Sequence, residues 1–97
     1  MPKIEGIHQT VFNAASQPGA LGMRSWHCGT THCRAGWVVT LAGEAGKALE
    51  EFHNTELAAM LIYKASSDIT VEPWKFYVSD AEALTDMKRC AELEASS

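Results

Sequence analysis

Twelve consecutive residues, Trp26-His27-Cys28-Gly29-Thr30-Thr31-His32-Cys33-Arg34-Ala35-Gly36-Trp37, hold two of the three cysteines, two of the four histidines and two of the three tryptophans. These side chains bind metals, attack carbonyls, form disulfides and anchor interfaces. Four chemistries follow. In a structural reading, Trp26 and Trp37 seat a tight loop on the helices, and Gly29 supplies a positive φ in the turn. Ala35 and Gly36 then admit a close neighbour, and Cys28 and Cys33 are small buried hydrophobes. In a catalytic reading, Cys33 opens a helix, where free N–H groups favour thiolate; His32 is beside it in sequence, and His53 and His8 are candidate bases in space. In a metal reading, the donors are Cys28, His32, Cys33 and His53, with His8 and Cys90 in reserve. Adjacent donors compete for one tetrahedral ion, however, and the spacing matches no standard zinc pattern. In a redox reading, Cys28 and Cys33 close a small loop, provided that their Cα atoms fall within disulfide reach.

Other candidates are single residues. His8 reads as a core-edge histidine bonded to a neighbour, and His53 as a cap at a helix C-terminus. Glu50-Glu51 reads as a solvated face. Trp74, Phe76 and Tyr77 are aromatics of the kind that anchor a partner, or else core.

The elements that must position these residues are mostly helical. Ile4, Ile7, Val11 and Ala14 or Ala15 recur at helical spacing over Lys3–Ala15, and Pro18-Gly19 ends that helix. Ala20–Gly29 is an irregular connection whose Leu21, Met23 and Trp26 should pack on the core. A second helix should start at Thr30 or Thr31 on a threonine cap, with Ala35, Val38, Val39 and Ala42 inward. Gly43 and Gly46 break it before a segment from Glu44 to about Phe52. Asn54 then caps Thr55–Ala65. The stretch 69–78 looks extended, as a strand or a packed linker. Ser79-Asp80-Ala81-Glu82 matches a capping box and opens a last helix to about Glu94. The expected fold is mainly α, one domain over 1–97: a compact bundle of four to five helices with one short extended segment near 69–78.

Composition narrows the function classes. The 97 residues are 46% hydrophobic and 21% charged, which is globular usage. A net charge of −4, with eight Lys and Arg forming no basic stripe, argues against a nucleic-acid partner. No apolar run is long enough to cross a bilayer, so no membrane association is expected. The start of the chain has no apolar core of a secretory signal, so a cytoplasmic location with reduced thiols is expected. Three cysteines, an odd number, also count against a full disulfide framework.

The stretch Trp26–Trp37, with its Cys28-Gly29-Thr30-Thr31-His32-Cys33-Arg34-Ala35-Gly36-Trp37 run, resembles a group of small, uncharacterised proteins of bacterial and phage genomes, with looser similarity through Leu41–Gly46. The resemblance covers about a quarter of the chain. It implies a prokaryotic or phage source and a cytoplasmic location, and it carries no activity. The sequence therefore points to a non-enzymatic protein-interaction module, acting on another protein through a motif of Trp26, His27, Cys28, Thr31, His32, Cys33, Arg34 and Trp37, without cofactor. A cysteine-dependent enzyme and a small metal-binding protein are the alternatives.

Overall fold

A computed structural model describes residues 1–96. Five helices account for most of the chain: α1 (Ile7–Ala15), α2 (Arg34–Leu41), α3 (Gly43–Phe52), α4 (Thr55–Ser66) and α5 (Asp80–Ala95). The remaining regular structure is a minimal hairpin and one 3-10 turn, Pro73–Phe76. In the hairpin, β1 (His27–Cys28) pairs antiparallel with β2 (Thr31–His32), so that His27 faces His32. Gly29, at φ +62, makes the tight turn between them.

The helix α2 is central and packs against α1, α3 and α4, while α5 covers α1. Ile7, Val11, Ala35, Val38, Val39, Ala58, Ile62, Phe76 and Met87 form a continuous buried core. The connection before the hairpin packs on that core through Leu21, Met23 and Trp26, as its apolar residues imply. It also extends the hairpin: the His32 N–H donates to the Ala20 carbonyl at 3.0 Å, and the Gly22 N–H to the His32 carbonyl at 3.1 Å.

Two helix starts differ from the sequence expectation. α1 begins at Ile7, not Lys3, because Gly6 adopts a left-handed conformation at φ +57. Its first amides find their acceptor far along the chain, in Glu94 of α5, which receives the His8 and Gln9 N–H groups at 3.0 Å each. α2 begins at Arg34, because Thr31 and His32 are already committed to the hairpin. Its cap is Cys33, whose sulfur accepts the Gly36 N–H at 3.3 Å, in the place expected of a threonine. Segment 69–78 is a packed linker with Val71 and Phe76 buried, and its centre turns as a 3-10 helix instead of running as a strand. Gly46, expected to share in the break, instead lies inside α3, close against the Val39 carbonyl; elsewhere the local signals hold. α3 starts at Gly43, Asn54 caps α4 by accepting the Leu57 N–H at 2.7 Å, and Ser79 caps α5.

Candidate functional site

Most of the motif is folded into architecture. At Gly36 an added Cβ would lie 1.9 Å from the Trp26 carbonyl oxygen, so only glycine admits the hairpin this close to α2. Trp37 donates its indole N–H to the Ala20 carbonyl at 2.8 Å, which fastens the preceding connection to the same helix. Thr31 donates its hydroxyl to the Gly19 carbonyl at 2.6 Å.

The cysteines separate. All three are free; Cys28 lies exposed on β1, whereas Cys33 and Cys90 are buried. Cys28 therefore departs from its expected burial. Cys33, the candidate nucleophile, is 1% exposed. Burial pushes its thiol pKa up, and the hydrogen bonds from the helix N–H groups only partly oppose this. The activation expected at a helix start is thus outweighed by desolvation. His53 caps the C-terminus of α3, exposed beside Phe52, and joins neither cysteine. Among the described residues, no three or more His, Cys, Asp and Glu side chains come together in a way that could hold a metal ion.

The two motif histidines do meet. Their Nδ1 atoms lie 2.7 Å apart, and the His27 Nε2 lies 2.7 Å from a carboxylate oxygen of Glu50. That same oxygen accepts the Thr55 hydroxyl at 2.6 Å. Glu50 is hence no solvated bystander. Burial raises its pKa, but the bonds from Thr55 and His27 prevail, and the net shift is downward. An ionised carboxylate only accepts, so the His27 Nε2 carries a proton. The two Nδ1 atoms share one hydrogen bond, whose direction is set by the tautomers of the pair. Burial first, then the neighbouring His27, holds the His32 pKa below its ordinary value, with Glu50 opposing. His32 also sits edge-on to Trp37 at 4.8 Å. A carboxylate-oriented imidazole resembles a general base. Among the described residues, however, no hydroxyl or thiol is hydrogen-bonded to either imidazole. The chain of bonds ties the hairpin to α3 and α4.

Arg34, the remaining motif residue, turns fully inward at 0% exposure. It donates to the Tyr63 hydroxyl at 3.0 Å and to Asp86 at 2.5 Å. Lys75 and Arg89 donate to the other Asp86 oxygen at 2.6 and 2.9 Å. Burial alone would raise the Asp86 pKa; these three cations hold it well below the usual carboxylate range. This tie joins α2, α4, the 3-10 turn and α5. Spacing in the sequence names Arg34 but not Asp86 or Tyr63, since their separations of 52 and 29 residues carry no local signal. His8 also departs from expectation. It is 2% exposed, stacked on Tyr63 at 5.2 Å, and neither ring nitrogen has a partner.

The large apolar side chains left exposed are Met1, Phe52, Leu57, Trp74, Tyr77 and Leu93 among the described residues. Trp74 is 60% and Tyr77 65% exposed, both displayed by the turn that buries Phe76. Tyr77 donates its hydroxyl to Glu56 and stands edge-on to Trp26 at 5.9 Å. No helix among the described residues is long and apolar enough to cross a membrane. Nothing matches the chain among protein-family models, curated proteins or solved structures.

Proposed function

We propose that this protein is a non-enzymatic interaction module that binds another protein through the face carrying Trp26, Trp74 and Tyr77. The observation that carries this reading is the exposure of Trp74 and Tyr77 on either side of the buried Phe76. Exposed aromatics with few rotatable bonds anchor partners at low entropic cost. The burial of Cys33 and the outward position of His53 weigh against the cysteine-enzyme alternative. The partner in this proposal is a cytoplasmic host protein, and the chain a phage- or mobile-element-encoded one.

A photo-crosslinking residue in place of Tyr77 tests the reading in the cell that makes the protein. The expected result is a discrete protein adduct that is lost when Trp74→Ala is added. The same residue in place of Lys64, exposed in the last turn of α4, should give none. No adduct at 77, or equal adducts at both positions, overturns the proposal. Rapid labelling of Cys33 in the native protein would instead favour an enzyme.

A further inference from the structure

The aromatic face contains one recess whose walls define the chemistry of an occupant. Trp26, Glu50, Asn54, Thr55, Glu56 and Tyr77 line a cavity of about 380 Å³. The Trp26 and Tyr77 rings meet at 77°, so they form two walls of a corner. Glu50 and Glu56 supply carboxylates to the same space, and none of the six residues is basic. Each carboxylate retains capacity. One oxygen of Glu50 takes His27 and Thr55, and one oxygen of Glu56 takes Tyr77. Among the described residues the second oxygen of each accepts no hydrogen bond. Neither is buried without a partner, so solvent reaches both.

Two aromatic faces beside two available carboxylates attract a cation through both quadrupole and charge. The chain already sets a cation against its other exposed tryptophan: the Lys75 ammonium lies 5.1 Å from the centre of the Trp74 ring. The space on the far side of Trp26 and Tyr77 is lined by Met23, Arg24 and Phe76, so a basic residue is already present there. At the corner itself Glu50 pairs with His27 at 2.7 Å, and among the described residues Glu56 has no ion-pair partner. A net charge of −4 adds long-range attraction for a positive partner.

We propose that this corner receives an arginine or lysine side chain from a basic segment of the partner protein, a role that rests on the interaction face proposed above. The ring corner takes the flat or tetrahedral cationic head, and Glu50 and Glu56 accept its N–H groups.

Titration of the full chain with a blocked hexa-arginine peptide, followed by NMR, tests this. The peptide should shift the Trp26 indole N–H and the amides of Thr55 and Glu56, and added salt should weaken it. Hexa-glutamate should shift none of them. Glu56→Gln should weaken hexa-arginine at least about fivefold, as should Tyr77→Ala. Glu72→Gln removes the same charge from an exposed position outside the recess and should change affinity less than about twofold. Melting curves of each variant confirm that it is folded. Equal weakening by Glu56→Gln and Glu72→Gln, shifts spread over the whole acidic surface, or no shift at all overturns the inference. If crosslinking at position 77 still traps a partner while hexa-arginine does not bind, only the cationic occupant falls. If both fail, the interaction face falls with it.

Discussion

Arg34 carries a full charge into the core, and Asp86 is the group that makes its burial tolerable. Removing one member of such a pair leaves the other charge uncompensated. Asp86→Asn should therefore lower stability by about 3–5 kcal/mol, read from the urea midpoint. Arg34→Met should cost less, because Asp86 keeps Lys75 and Arg89 at the protein edge. Equal costs would count against the buried guanidinium as the vulnerable charge. His8 and His32 give a second prediction at this scale. Burial is the first cause lowering each pKa, with Glu94 opposing for His8 and Glu50 for His32. Once unfolded, both protonate near about pH 6.5. Below that pH the unfolded chain binds more protons than the native one, so stability falls as pH drops from about 7.5 toward 5. His8→Phe should flatten the slope. A urea midpoint independent of pH over this range would refute the argument.

Among the elements, the hairpin and α2 stand or fall together. A methyl group at position 36 would collide with the Trp26 carbonyl. Gly36→Ala should therefore cost about 1–3 kcal/mol and alter Trp26 fluorescence by forcing the hairpin outward. An unchanged spectrum and midpoint would show that the approach is looser. The same arrangement decides thiol access. Cys28 on β1 should react readily with a thiol reagent in the native protein, while Cys33 at the α2 cap and Cys90 within α5 should react only after unfolding. Fast native labelling at Cys33 would contradict its burial. At α5, Ser79 accepts the Glu82 N–H at 3.2 Å and donates its hydroxyl to the Glu82 carboxylate at 2.9 Å. Ser79→Ala should cost about 0.5–2 kcal/mol in the same urea assay.

Across the whole molecule, far-ultraviolet circular dichroism should be dominated by helix, because two-residue strands contribute almost nothing. A mainly β spectrum would contradict the fold. The helices were legible because their causes are local. Apolar spacing, Asn54 and Ser79 at caps, and Gly43 at a break all act within a turn or two of backbone. The tightness at Gly36 was legible for a similar reason, since small residues on a helix imply a close neighbour. By itself, then, the sequence determined the helical class, most element boundaries and the crowding of the motif. Tertiary structure decided what the crowded residues do. It replaced a threonine cap with Cys33 and started α1 with a carboxylate from the far end of the chain. It joined His27 to Glu50 across 23 residues and Arg34 to Asp86 across 52. It also placed Trp26 against Tyr77. Such pairings depend on which helix faces pack together. Desolvation is likewise set by every neighbour at once, so the protonation of Cys33, His8 and His32 follows from the packed core and not from adjacent residues.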